Sequence, residues 1–427
     1  MTERLISFCG LLVMLLLAWA MSSHRRLVPW RVVAGGLALQ ICFALLILKT
    51  ATGAWFFNLI GDAFQAVIGH VNAGSSFLFQ YVRSDTGPPP DQSLLGSFAF
   101  GVLPTIVFFS SLMSILYYLG VMQKLVELIA WVMQRTLKTS GAESLSAAAN
   151  IFVGQTEAPL VIRPYVNPMT LSELNAVMVG GFATIAGGVM AAYVAMGIDA
   201  GHLVTASVIS APAALLIAKL MLPETEQPQT TGSVKIAVAE PSANLLEAAA
   251  AGASDGMKLA INVAAMLIAF LALLSLGNGI LGWCGQQFNE HVAPALGWNT
   301  DSVWTLEAVL GYVFSPLAWI MGIPADDCRQ AGEILGMKMV ANEFVAYQQL
   351  GEWQAATGGT GPQPRTLLIM TYALAGFANF SSIGIQIGGI SSIAPERRGD
   401  LARLGLRAML GGTLAAFMTA CIAGMLL

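Results

Sequence analysis

Eight stretches of this chain are apolar for long enough to cross a lipid bilayer, at about 5–22, 30–49, 96–120, 172–196, 202–222, 257–283, 366–393 and 402–426. A helix of about 20 apolar residues covers the hydrocarbon core. In lipid every backbone polar group must be satisfied inside the protein, which makes such runs read as helices. Only 10% of the residues are charged, against about 25% in soluble domains. The expected fold is therefore an all-α integral membrane protein with eight transmembrane helices.

Charge placement orients the spans. Arg25, Arg26 and Arg31 follow the first span directly, which favours an uncleaved first helix over a signal peptide. With the N-terminus outside, the inner loops collect Lys124, Arg135, Lys138, Arg163, Lys219, Lys235, Arg397, Arg398 and Arg403. The outer side keeps Arg83, Arg329, Lys338 and Arg365, with Lys49 at a boundary. An even number of crossings puts both termini outside. Residues 223–256 read as a cytoplasmic linker, and 84–92 and 355–364 as external loops. Residues 121–138 alternate apolar side chains with Lys124, Glu127, Arg135 and Lys138, as in a helix lying on the membrane surface.

Two segments are too polar for ordinary spans. The first, 142–168, carries Gln155-Thr156-Glu157; the second, 326–350, carries Asn342-Glu343-Phe344. A carboxylate near the bilayer centre costs roughly 2.5–3.5 kcal/mol on insertion scales, so each segment is read as a re-entrant hairpin. A glycine-rich, interruptible helix follows each one, and Gly-Phe-Ala occurs in both, at 181–183 and 376–378. Three crossings separate the hairpins, so they enter from opposite sides. The result is a pair of inverted repeats with discontinuous helices, the arrangement of many secondary transporters. The expected divisions are 1–120 as scaffold helices, 121–222 as the first repeat, 257–283 as a further scaffold helix and 300–427 as the second repeat.

The polar residues suit an uncharged, hydroxyl-rich substrate. Gln155, Thr156 and Glu157 offer amide, hydroxyl and carboxylate. Glu343 adds a second carboxylate, Asn379, Ser381 and Ser382 add neutral donors and acceptors, and Phe377 adds a flat apolar face. An anionic substrate would meet two carboxylates without an evident arginine clamp, unless Arg163 or Lys338 reaches inward. The turn near Asn150 and Val153 and the break near Thr184 and Ile185 can converge on Na+, with proton coupling through Glu157 or Glu343 as the rival. The five cysteines and four histidines form no ligand cluster, and no phosphate-binding glycine loop or zinc-protease motif occurs. A channel and an intramembrane enzyme are the other classes. No nucleophile or paired catalytic motif supports the enzyme, and no nucleic-acid partner is expected.

Gly154-Gln155-Thr156-Glu157-Ala158-Pro159-Leu160, Asn342-Glu343-Phe344-Val345-Ala346-Tyr347 and Gly376-Phe377-Ala378-Asn379-Phe380-Ser381-Ser382-Ile383-Gly384 resemble the signature segments of concentrative nucleoside transporters. The likeness runs from about the second span to the end. It implies a homotrimer of eight-span, two-hairpin protomers, each divided into a scaffold and a mobile transport domain. It implies sodium-coupled nucleoside symport in a bacterial inner membrane, with no organic cofactor. Gln155, Thr156 and Glu157 would meet the nucleobase, the last two partly through water, and Val189 would line the base pocket. Glu343, Asn379 and Ser382 would bind the ribose hydroxyls, with Phe377 packed beside them. Asn150, Val153, Thr184 and Ile185 would hold Na+, the second and fourth through backbone oxygens. Relatives with Ser in place of Thr156 include proton-coupled members, so the Thr points to Na+. Relatives with Ser where Thr184 stands keep the hydroxyl.

Overall fold

The computed structural model describes residues 2–79, 97–230, 242–293, 304–356 and 361–427. The expected loop at 84–92, the linker segment 231–241 with Lys235, Arg83 and the start of the second repeat at 300–303 lie outside the described residues, as does part of the loop at 355–364. Among the described residues all regular structure is helical.

The N-terminal helices are α1 (Thr2–Ala20), α2 (Trp30–Lys49) and α3 (Ala51–Phe79). Two runs of matching order follow. The first is α4 (Phe98–Tyr118), α5 (Val121–Leu137), a hairpin of α6 (Gly141–Ala149), α7 (Ala158–Val161) and α8 (Arg163–Val166), a broken pair α9 (Leu171–Ala183) and α10 (Gly187–Ala195), and α11 (Ala200–Met221). The second is α12 (Leu245–His291), α13 (Leu306–Ile320), a hairpin of α14 (Cys328–Val340) and α15 (Glu343–Gln354), a broken pair α16 (Pro364–Leu374) and α17 (Phe380–Ile393), and α18 (Arg398–Leu426). Long helix, lateral helix, hairpin, broken helix and plain helix thus recur in order.

Seven helical segments among the described residues, one of them the broken pair α9–α10, are long and apolar enough to cross a membrane. They coincide with seven of the eight expected spans. The eighth, 366–393, is divided between α16 and α17. Two features depart from expectation. The 29-residue α3 is a long helix in a region assigned no span. The 47-residue α12 begins at Leu245, inside the expected linker. Its start is a local signal: Asn244 caps it by accepting from the Glu247 amide at 2.9 Å. The Gly-Phe-Ala tripeptides are also out of register. Residues 181–183 close α9, whereas 376–378 lie in the break after α16.

α4 packs along α12, and α11 and α9 pack along α18. α5 buries Met122, Val126, Ala130, Met133 and Leu137 at helical spacing, and exposes Leu128 and Trp131 beside Lys124, Glu127 and Arg135. That mixed outer face suits a membrane surface. The first hairpin is pinned at its base. Ser140 and Glu143 form a capping box. Glu143 then pairs with the buried Lys219 of α11 at 2.8 Å, and Lys219 also meets Glu224 at 3.2 Å.

Candidate functional site

Each hairpin tip meets a broken helix. α6 ends at Ala149, Asn150 begins the turn, and Pro159 stands in the short α7 that leads the chain away. α9 stops because Thr184 and Ala186 take extended backbone angles. The amide of Gly187, first residue of α10, donates to the Phe152 carbonyl at 2.9 Å. A Cβ at Gly187 would lie 2.9 Å from that oxygen, so the close approach needs glycine.

This junction gathers oxygen donors. Asn150 is buried, and its Nδ2 donates to the Ser146 carbonyl at 3.1 Å. Its Oδ1 and the Ser146 hydroxyl oxygen are buried with no hydrogen-bond partner among the described residues. Asn150 Nδ2 sits 3.3 Å from the Cβ position of Gly180, whose carbonyl accepts from the Thr184 hydroxyl at 2.9 Å. Val153 and Ile185 are buried on either side of the junction. A buried acceptor without a partner is costly, and a hard cation with oxygen ligands would satisfy it.

The second junction is polar throughout. Asn379 caps α17: its Oδ1 accepts from the Ser382 amide at 2.9 Å and the Ser381 hydroxyl at 2.7 Å. Its Nδ2 donates to Glu343 Oε2 at 2.8 Å. Glu343 Oε1 accepts from the Tyr193 hydroxyl at 3.2 Å. Ser382 Oγ accepts from Gln155 Nε2 at 3.3 Å, and Gln155 Oε1 accepts from Gln386 Nε2 at 3.0 Å. Gln386 Nε2 also donates to the Met178 carbonyl at 3.1 Å. Gln155, Glu343, Asn379, Ser382 and Gln386 are all buried. Both hairpins and both broken helices therefore contribute to one hydrogen-bonded chain.

Phe377 is buried in the break beside this chain. Val189 is buried on α10 one turn before Tyr193, on the same helix face. Thr156 is half-buried against Gly389 of α17.

Glu157 stands apart from this chain: it is exposed and forms no hydrogen bond with Glu343, Asn379 or Ser382. Its carboxylate accepts from the Gly154 amide at 3.2 Å, turning back on its own loop. It lines a cavity of about 480 Å³ with Ser110, Tyr117, Phe152, Gly188 and Asp255. That volume falls in the roughly 300–1,000 Å³ range of small-molecule sites. The cavity separates the hairpin tip from α4 and α12. A second cavity, about 530 Å³, lies at the base of the first hairpin, and its Lys219 is already paired with Glu143 and Glu224.

Tyr193, Gln386 and Lys338 are the polar groups that sequence reasoning left unassigned or open. The available signal was weak: one amide in the glycine-rich α17, and one tyrosine a turn beyond Val189. Lys338 does reach inward, to the Ala373 carbonyl at 2.9 Å. Among the described residues no group of three or more His, Cys, Asp or Glu could hold a metal ion.

Comparison with known proteins is consistent over the whole chain. Residues 202–424 match the family described as Na+ dependent nucleoside transporter C-terminus, 9–82 the corresponding N-terminus, and 99–200 a family described as nucleoside recognition. A solute carrier family 28 member 3 of Eptatretus stoutii is 46% identical over 99% of the chain and 61% of its own length. The sodium/nucleoside cotransporter 1 of Rattus norvegicus is 44% identical over 99% of the chain and 64% of its own length. The chain thus spans less than two thirds of these animal relatives. An uncharacterized transporter of Haemophilus influenzae is 46% identical over 99% of the chain and 97% of its own length. Among solved structures, CNTnw in an inward-facing substrate-bound state has a TM-score of 0.88 and 43% identity, covering 99% of this chain and 98% of that one. A doubly substituted CNTnw in an outward-facing state has a TM-score of 0.89 and 42% identity, covering 100% and 98%.

Proposed function

The chain belongs to the Na+-dependent nucleoside transporter family, and from that premise we propose that it carries nucleosides into the cell by sodium-coupled symport. It is a multi-pass membrane transporter, not an enzyme. The observation that carries the substrate assignment is the hydrogen-bonded chain from Tyr193 through Glu343, Asn379 and Ser382 to Gln155. It supplies acceptors for ribose hydroxyls and donors for a base, and among the described residues no basic side chain is hydrogen-bonded into it. Glu343, Asn379 and Ser382 take the ribose. Gln155 and Thr156 take the base with Val189 and Phe377 as apolar walls, and Glu157 reaches it through water from the adjoining cavity.

Na+ takes the oxygens of Asn150, Val153, Thr184 and Ile185. The buried, unpartnered Oδ1 of Asn150 supports this choice. Sodium entry draws on the membrane potential, about 2.3 kcal/mol per charge at about 100 mV. By affinity arithmetic that alone sustains a roughly fifty-fold gradient of a neutral solute. In the alternating-access cycle the hairpins and broken helices move past α4 and α12 with the nucleoside held between them.

Proton coupling is the second reading, favoured by the exposure of Glu157 to the cavity. Uptake of labelled uridine into proteoliposomes separates the two. A Na+ gradient is expected to drive accumulation and a proton gradient alone is not; uptake that follows pH and ignores Na+ overturns the sodium assignment. We place the protein in a bacterial inner membrane as a homotrimer with both termini periplasmic. The apolar side chains that α12 leaves uncovered, including Ile268, Leu273, Leu276 and Trp283, suit contact with lipid or neighbouring protomers.

A further inference from the structure

Lys338 is the one fully buried lysine among the described residues, and the cycle above gives it no role. It lies on α14, and its Nζ donates to the carbonyl of Ala373, the next-to-last residue of α16. The ammonium therefore faces the carbonyl end of a helix, where partial negative charge collects. Among the described residues it forms no ion pair. Glu343, on the same hairpin, is committed to Tyr193 and Asn379. An ammonium removed from water without an ion pair is expensive, so its charge calls for a cause.

The repeat supplies one. In the first repeat the hairpin tip at Asn150 meets the end of α9, and Ser146 precedes Asn150 by four residues. In the second repeat the hairpin meets the end of α16 through Lys338 and Tyr347, which donate to the Ala373 and Thr371 carbonyls, and Lys338 precedes the tip residue Asn342 by four residues. In register with the two tip asparagines, Lys338 stands where Ser146 stands. The Ser146 hydroxyl and Asn150 Oδ1 are buried and unpartnered, which fits a mobile cation beside the end of α9. The corresponding place in the second repeat already holds a cation on a tether.

We propose that the Lys338 ammonium is a built-in counterpart of the exchangeable Na+: it holds the carbonyl end of α16 as Na+ holds the end of α9. Lys338 is then a positioning residue. By fixing the end of α16 it fixes the break at 375–379, and with it Asn379 and Ser382. The inference rests on the sodium reading given above.

The test is uridine binding to the purified full-length protein as a function of Na+, with choline keeping ionic strength constant. In the wild type, binding is expected to rise with Na+ with a Hill coefficient of about one. Lys338→Ala removes the tether and leaves room for an ion. Its uridine affinity is expected to fall about ten-fold at low Na+ and to recover at high Na+, with the Hill coefficient rising towards about two. Lys338→Met fills the space without charge, so its loss is expected to persist at high Na+. The proposal is overturned if both variants bind uridine like the wild type. It is equally overturned if the alanine variant fails to assemble or to bind at every Na+ concentration, because a mobile cation then cannot stand in for the fixed one. Wild-type binding indifferent to Na+ has a different meaning: it removes the sodium reading itself.

Discussion

At the scale of single residues, Glu343 is the junction of the proposed site. Each of its oxygens already accepts one hydrogen bond, from Tyr193 at 3.2 Å and from Asn379 at 2.8 Å. A carboxylate oxygen has lone pairs to spare, so ribose hydroxyls can be added without displacing either partner. Glu343→Gln keeps the shape and removes the charge. Hydrogen bonds to charged groups contribute about 1.5–3 kcal/mol each, so uridine binding is expected to weaken about ten- to hundred-fold. Wild-type affinity by titration calorimetry would remove Glu343 from the site. Gln386 acts one step back. By donating to Gln155 Oε1 and the Met178 carbonyl it turns the Gln155 N–H group towards Ser382. Gln386→Leu leaves the Gln155 carbonyl unpartnered, and a loss of about 1–3 kcal/mol of binding is expected. An unchanged half-saturation for uridine uptake counts against that role. Gln155, Glu343 and Asn379 were legible in the sequence because amides and carboxylates in apolar surroundings are rare and costly. Tyr193 and Gln386 were not, because a lone tyrosine or glutamine in a helix has many ordinary places. Glu157 shows the limit of adjacency: two residues from Gln155, its side chain faces another space.

At the scale of elements, the breaks in α9–α10 and α16–α17 make the site, and they lean on each other. Gly376 has φ +123° and lies against the end of α9, where an added Cβ would come within 2.6 Å of the Phe182 carbonyl oxygen. Gly376→Ala is therefore strained in backbone and in packing. Left-handed backbone alone costs an L-residue about 1–2 kcal/mol, and the collision adds to it. The variant is expected to melt earlier in detergent than the wild type. Gly388→Ala is the control, since a Cβ there meets nothing within 4 Å; equal melting of all three proteins would show that the break tolerates a side chain. The sequence announced that these helices would be interrupted, because glycines cluster beside polar residues. The shared Gly-Phe-Ala does not mark the register of the two repeats, because 181–183 close α9 whereas 376–378 lie beyond the end of α16. α12 was cut short for a related reason. Its first turns are rich in alanine and carry Glu247 and Asp255, so they lack the hydropathy of a span although they propagate a helix well.

At the scale of the whole molecule, alternating access requires a boundary across which one part slides. The cavity beside Glu157 marks one candidate, between α4 and α12 on one side and the first hairpin with α10 on the other. The two sides touch where α10 begins: the Cβ position of Gly188 lies 3.1 Å from the Ser110 hydroxyl of α4. That proximity suits a disulfide, whose Cβ atoms sit about 3.5–4.5 Å apart. A Ser110→Cys, Gly188→Cys protein can be built in a background lacking the exposed Cys9, Cys42 and Cys284, with Cys328 and Cys421 buried. If α10 travels past α4, oxidation is expected to stop uridine uptake and a reducing agent to restore it. Uridine binding should survive oxidation, because the bond lies outside the chain from Tyr193 to Gln155 and fixes the arrangement of α4 and α10 without removing a ligand. Electrophoretic mobility after thiol blocking reports how completely the bond has formed. Complete cross-linking with undiminished uptake would mean that α4 and α10 move as one body, and the sliding boundary would have to be sought elsewhere. Loss of binding together with uptake would point instead to distortion of the nearby tip at Phe152 and Val153, which reaches α10 through the Gly187 amide.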